Sequence, residues 1–71
     1  MARTKSLSRQ IRNARATKGY TVAELAGRVG VSQVSVYYWE SGRVRPRDTN
    51  LAALCKALKL PLRETMALTT P

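Results

Sequence analysis

The chain has 71 residues, of which 13 are Lys or Arg and four are Asp or Glu, so its formal net charge is +9. A chain this short forms one domain that buries only about 60% of the surface exposed when it is extended. It has no histidine and one cysteine, which excludes an ordinary zinc site and an internal disulfide. Its longest apolar run, residues 51–55, is too short to cross a membrane. We expect a soluble, cytoplasmic protein that needs no metal or cofactor.

The positive charge is concentrated in the first two thirds of the chain. Residues 1–47 hold ten basic and two acidic residues, whereas residues 48–71 hold three and two. This asymmetry favours a polyanionic partner, with nucleic acid first and an anionic membrane surface second. The alternative is a basic surface that only keeps the chain soluble.

The first two predicted segments are an arm and a helix. Residues 1–6 contain Arg3 and Lys5 and lack hydrophobic periodicity, which indicates a flexible basic arm. Apolar residues then recur at Leu7 and Ile11, which predicts helix 1 over residues 7–18, ended by Gly19.

Two short helices follow, separated by a tight turn. Thr21 and Glu24 have the spacing of a capping box and predict helix 2 over residues 22–29. Gly30 closes that helix and Ser32 caps the next one, helix 3, which we expect over residues 33–41 with Gly42 after its end.

A basic loop over residues 42–48, which contains Arg43, Arg45 and Arg47, and two more helices complete the chain. Asp48 or Thr49 is predicted to cap helix 4, and Pro61 to open a last helix over residues 61–67, while residues 68–71 fray. Cys55 falls at helical spacing and is predicted to be a core residue. The other predicted core residues are Leu7, Ile11, Leu25, Val29, Val36, Trp39, Leu51, Leu54, Leu58 and Leu62.

These segments predict one all-α domain of five helices over residues 7–67, with a helix-turn-helix formed by helices 2 and 3. At 100° per residue, helix 3 directs Val36 and Trp39 to one side. The opposite side carries Gln33, Val34, Tyr37 and Tyr38.

That outward side of helix 3 suits contact with bases in a DNA major groove. The amide of Gln33 can accept from and donate to an adenine, and Val34 offers an apolar surface to a thymine methyl group. Tyr37 and Tyr38 are either part of this surface or covers for neighbouring side chains. Because they are adjacent in a helix and point 100° apart, burying both is difficult.

Residues 21–42 resemble the helix-turn-helix motif of the phage repressor and Cro type of DNA-binding domain, the XRE family. The resemblance extends from about Ser6 to Met66 and rests on a combination of motif residues. These are Glu24-Leu25-Ala26, Val29-Gly30, Ser32, Ser35-Val36, Trp39-Glu40 and Gly42. It implies a compact, lambda-repressor-like five-helix fold.

The resemblance also implies roles for individual residues. Base contacts are implied for Gln33, Val34, Tyr37 and Tyr38, and an ion pair between Arg15 and Glu40 that ties helix 1 to helix 3. The implied phosphate contacts come from Thr21, Ser32, Ser41, Arg43, Arg45 and Arg47.

Two positions depart from the family pattern. Val22 stands where many relatives have a glutamine that grips a phosphate, so helix 2 is expected to contribute backbone contacts and packing there. Tyr38 replaces a common base-reading glutamine, and a phenol cannot form the same amide pair. The DNA sequence recognised by relatives is therefore not transferable to this chain.

We interpret the chain as a sequence-specific transcriptional regulator of bacterial or phage origin, associated with the nucleoid and most simply a repressor. It is expected to bind double-stranded DNA as a homodimer on an inverted repeat, with no small-molecule ligand evident. The alternatives are an antitoxin that binds a partner protein and its own promoter, and a nonspecific nucleic-acid binder. An enzyme is not expected, since the serines lack a histidine and the acids are not paired.

Overall fold

The computed structural model describes residues 3–67 of the chain. These residues form five α-helices and no strand, which confirms the predicted all-helical class. The helices are α1 (Arg3–Lys18), α2 (Val22–Val29), α3 (Gln33–Ser41), α4 (Asp48–Leu58) and α5 (Leu62–Ala67). The expectations for residues 1–2 of the arm and for the frayed end at 68–71 lie outside the described residues.

Helix α1 begins earlier than the sequence predicts. It starts at Arg3 instead of Leu7, so residues 3–6 are helical and not an extended arm. The reason is that residues 3–6 contain no apolar side chain, and a search for hydrophobic periodicity cannot detect them. A helix that is already nucleated extends through polar residues because each added residue gains one backbone hydrogen bond.

Helices α2 and α3 have the predicted bounds because their ends are encoded locally. The Thr21 hydroxyl accepts from the Glu24 N–H at 3.1 Å, and a Glu24 carboxylate oxygen accepts from the Thr21 N–H at 2.8 Å. Gly30 then adopts the left-handed region at φ 86°, where its N–H and that of Val31 both donate to the Ala26 carbonyl. This turn leads directly into α3.

The starts of α4 and α5 differ from the prediction. Residue Arg47 precedes α4 and makes no side-chain capping bond, so Asp48 is the first helical residue and Thr49 is the second. The Asp48 carboxylate lies in the first turn, where it interacts favourably with the helix dipole. Pro61 precedes α5, and its carbonyl accepts from the Thr65 N–H at 2.9 Å.

One continuous core joins the helices. Its buried apolar residues are Leu7, Ile11, Leu25, Ala26, Val36, Trp39, Leu51, Leu54, Cys55 and Leu58. Two predicted core residues differ: Val29 is only partly buried against this cluster, and Leu62 is exposed. Leu62 is the first residue of α5, and Thr65, three residues later, is buried in its place, so the side of α5 that faces the other helices is the one that carries Thr65.

The Cys55 thiol is buried, as predicted, and burial raises its pKa, which favours the unreactive thiol form.

Helix α3 packs against α1 and α2, whereas α4 packs against α1, α2 and α5. The outward side of α3 is exposed, since Val34, Tyr37 and Tyr38 are all exposed. Over residues 3–67, no helix combines the length and apolar character needed to span a bilayer.

Candidate nucleic-acid interface

The two sides of α3 differ sharply in exposure. Val36 is fully buried and Trp39 is 4% exposed, so this side anchors the helix in the core. The opposite side carries Val34 at 54%, Tyr37 at 56% and Tyr38 at 42% exposure. Large apolar and aromatic groups exposed together on one helix indicate a binding surface. We call the four predicted base-contacting residues, Gln33, Val34, Tyr37 and Tyr38, the reading face.

Gln33 completes the reading face at the start of α3. Its side chain is exposed in the first turn, one turn before Tyr37. The preceding Ser32 hydroxyl accepts from the Ser35 N–H at 3.3 Å, and so fixes where the helix begins. Backbone N–H groups in the first turn of a helix have no partner within the helix. This end of α3 therefore presents hydrogen-bond donors and a positive dipole end beside an amide side chain.

The structure places the predicted pair of Arg15 and Glu40 in direct contact. Arg15 Nε donates to Glu40 Oε2 at 2.6 Å, and Arg15 Nη2 donates to Glu40 Oε1 at 3.1 Å. A third bond runs from Arg15 Nη1 to the Tyr20 carbonyl at 2.9 Å. The hydrogen bond to Glu40 raises the pKa of Arg15 above its ordinary value. One guanidinium thus ties α1, the segment before α2 and the end of α3 together.

A shallow cavity of about 310 Å³ lies where α1, α2 and α3 meet. Its lining brings the predicted pair of Arg15 and Glu40 together with Arg12, Val22, Tyr37 and Ser41. Arg12 was not among the predicted site residues, although its position one turn before Arg15 on the same helix is a signal that could have suggested it. The Ser41 hydroxyl at the rim donates to the Tyr38 carbonyl at 3.1 Å.

The start of the basic loop is fixed against the end of α3. Gly42 has φ 80°, and the N–H groups of Arg43 and Val44 both donate to the Tyr38 carbonyl, at 3.1 and 3.4 Å. A residue other than glycine is disfavoured in this left-handed conformation. The turn holds Arg43 next to the reading face.

The rest of the loop continues to the start of α4. Arg45 and Arg47 are exposed on either side of the buried Pro46, and both line a concavity of about 300 Å³ with Asp48. Arg47 makes no side-chain cap on α4, as expected for a guanidinium group, which has no hydrogen-bond acceptor. The two arginines make this end of α4 basic, although the Asp48 carboxylate lies in the same concavity.

The remaining predicted phosphate contact lies at the start of α2. Thr21 is exposed, and its hydroxyl oxygen accepts the capping bond from the Glu24 N–H. The same hydroxyl helps to lower the pKa of the Glu24 carboxylate, so a bond from its O–H to a phosphate competes with Glu24. Val22 is half-buried against the core, as expected for a residue that packs instead of gripping a phosphate.

Among residues 3–67, no group of His, Cys, Asp and Glu side chains is arranged to hold a metal ion.

The comparisons with known proteins agree with this geometry. A family model described as a helix-turn-helix domain matches residues 6–68, and the chain belongs to this family. Among solved structures, the chain is similar to the clp gene regulator ClgR from Corynebacterium glutamicum, with a TM-score of 0.84 and 29% identity. The match covers 96% of this chain and 72% of the ClgR chain. No curated protein matches the chain.

Proposed function

We propose that this helix-turn-helix protein binds double-stranded DNA sequence-specifically and regulates transcription, with α3 in the major groove. The observation that carries the proposal is the exposed reading face on a helix whose other side is anchored by Val36 and Trp39. An α-helix fits the major groove, and residues near its start reach base edges. The similarity to the gene regulator ClgR supports the same function.

Each residue of the reading face has a role in this proposal. Gln33 makes a bidentate contact with an adenine, and Val34 packs against a thymine methyl group. Tyr37 and Tyr38 lie one turn further along α3, where their rings contact thymine methyl groups or sugars and their hydroxyls reach phosphates. These contacts supply discrimination between sequences, because base edges differ from site to site whereas the phosphate backbone is chemically the same.

Phosphate contacts surround the reading face on three sides and supply most of the affinity. Thr21 lies on the α2 side, and Ser32 lies before the start of α3. Ser41 and Arg12 lie at the cavity where α1, α2 and α3 meet. The Ser41 hydroxyl exchanges its bond to the Tyr38 carbonyl for one to a phosphate oxygen when DNA binds. The basic loop contributes Arg43, Arg45 and Arg47. Binding through this many cations falls steeply as salt increases, because bound counterions are released from DNA.

We further propose that the protein acts as a repressor and binds an inverted repeat as a homodimer. Two copies related by a twofold axis place their α3 helices in successive major grooves, about 34 Å apart. Occupying a promoter in this way blocks access of polymerase. A selection of binding sites from a random duplex library tests this directly, since an enriched palindrome is expected and a single unpaired half-site would contradict the dimer.

Two substitutions separate base reading from phosphate binding. Gln33→Ala is expected to cost about 1–3 kcal/mol at one base position and to relax the preference there. Arg43→Ala is expected to weaken binding to all sequences and to reduce the salt dependence by about one unit of slope. Fluorescence anisotropy with the selected duplex and a scrambled duplex measures both effects. If Gln33→Ala lowers the two affinities equally, Gln33 does not read a base.

A further inference from the structure

A third concave surface lies between α2 and α4. It has a volume of about 640 Å³. Its lining consists of Tyr20, Arg28, Ala53, Lys56, Ala57 and Lys59. We call it the α2–α4 groove. No residue of α3 or of the basic loop lines it, so it is separate from the proposed DNA interface.

The α2–α4 groove is strongly positive. Arg28, Lys56 and Lys59 are exposed along it, and none of its lining residues is acidic. The nearest described acid along the chain is Glu24, one turn before Arg28 and outside the lining of the groove. Its carboxylate accepts from the Thr21 N–H, and the charge of Arg28 contributes to lowering its pKa, so Glu24 offsets part of the charge of Arg28. Three cations in one concavity raise the local concentration of anionic groups.

Lys59 occupies a position in which lysine is unfavourable. It ends α4 in the left-handed region at φ 55°, where a residue with a Cβ costs about 1–2 kcal/mol. By contrast, α2 and α3 end on Gly30 and Gly42. Lys59 therefore lowers the stability of the fold relative to a glycine at the same position, and this end of α4 lines the groove. Strain of this kind is often found at functional positions.

The other side chains shape the groove without neutralising it. The Arg28 guanidinium carbon lies 4.4 Å from the centre of the Tyr20 ring, a cation–π contact that holds the side chain in place and leaves its charge. Ala53 and Ala57, one turn apart on α4, are half-buried and small. They provide an apolar floor between the cations.

The lining of the groove selects the kind of ligand. Three cations flank an apolar floor in one concavity, which suits a ligand that carries both anionic and apolar groups. A DNA backbone offers phosphates and sugars but no apolar side chains. We propose that the α2–α4 groove binds an acidic peptide segment of a partner protein, whose apolar side chains rest on Ala53 and Ala57. This proposal adds a protein partner to the DNA-binding function.

Titration of the full chain with a labelled synthetic peptide of alternating glutamates and leucines tests the proposal. We expect binding that shifts the amide resonances of Ala53 and Ala57 and leaves that of Val34 unchanged. The same peptide with glutamine in place of every glutamate is expected not to bind. A peptide without leucines, composed of glutamate and glycine, is expected to bind more weakly because it lacks apolar contacts with the floor.

Three variants assign the binding to the groove. Lys56→Glu is expected to weaken peptide binding about tenfold, since it places like charges opposite each other. Lys59→Gly is expected to weaken it roughly threefold while the fold is retained, because glycine tolerates the left-handed conformation. Lys18→Glu makes the same change in net charge as Lys56→Glu at an exposed residue outside the groove, and is expected to leave binding nearly unchanged.

Equal losses in Lys56→Glu and Lys18→Glu would overturn the proposal, because binding would then depend on net charge alone. Peptide-induced shifts at Val34 or Tyr37, or displacement of the peptide by duplex DNA, would also overturn it, since the site would be the DNA interface. If Lys56→Glu weakens DNA binding and the peptide does not bind, the groove is a further phosphate contact. Failure of DNA binding itself is recognised separately, as an absence of duplex-induced shifts at Val34.

Discussion

The contact between Arg15 and Glu40 gives a quantitative test of how α3 is held. The two side chains are 19% and 10% exposed, and two hydrogen bonds join them. Fully exposed pairs contribute about 0–1 kcal/mol, and hydrogen bonds to charged groups about 1.5–3 kcal/mol. For a bidentate contact between a guanidinium group and a carboxylate at this level of burial, we expect a coupling free energy of about 1–2 kcal/mol between the two residues.

The single substitutions should have unequal effects. Arg15→Met leaves the Glu40 carboxylate nine-tenths buried without its partner, at a cost of about 2–4 kcal/mol. Glu40→Gln costs less, because Arg15 is more exposed and still donates to the Tyr20 carbonyl. Since a domain of this size has only about 3–5 kcal/mol of stability, Arg15→Met should come close to unfolding it.

Urea unfolding of the wild type, both single variants and the double variant gives the coupling energy directly. Arg12→Met is the matched control, because it removes an exposed arginine one turn earlier on α1 and should change the free energy of unfolding by less than about 0.5 kcal/mol. A coupling energy below about 0.5 kcal/mol, or a larger loss from Glu40→Gln than from Arg15→Met, would refute this reasoning.

Two further predictions concern the helix ends. Gly42→Ala should lower the free energy of unfolding by about 1–2 kcal/mol in urea unfolding, because φ at this position is 80°. The cost is conformational and not steric, since the atom nearest to an added Cβ, Ser8 Oγ, lies at an ordinary contact distance of 3.8 Å. Gly27→Ala, in open space inside α2, should raise it by about 0.5–1 kcal/mol, and the same sign in both variants would contradict the conformational argument. Hydrogen bonds from Thr21, first from its backbone N–H and then from its hydroxyl, lower the pKa of Glu24 in the folded protein. The stability that these bonds give is therefore fully present above the unfolded-state pKa, about 4.3, and is lost as the pH falls through the pKa of Glu24 in the folded protein. Glu24→Gln retains an acceptor, and its thermal stability should therefore fall less than that of the wild type below pH 4.3; an identical acid dependence would count against this role.

The sequence alone was sufficient for the helix-turn-helix and for the two sides of α3. The ends of α2 and α3 depend on caps and left-handed turns, which are made by residues at most a few positions apart. The separation of Val36 and Trp39 from the reading face follows from the helical repeat itself. Interactions between residues that are close in the sequence therefore determine both features, so both can be predicted without the tertiary structure.

Other features depend on how distant segments meet, and only the tertiary structure decided them. The exposure of Leu62 and the partial burial of Val29 reflect which neighbours cover each helix, since periodicity does not say how far a core extends. The resemblance implied the contact between Arg15 and Glu40, but its geometry joins residues 25 positions apart. The α2–α4 groove likewise exists because α4 packs on α2, which brings together cations that are about thirty residues apart in the sequence.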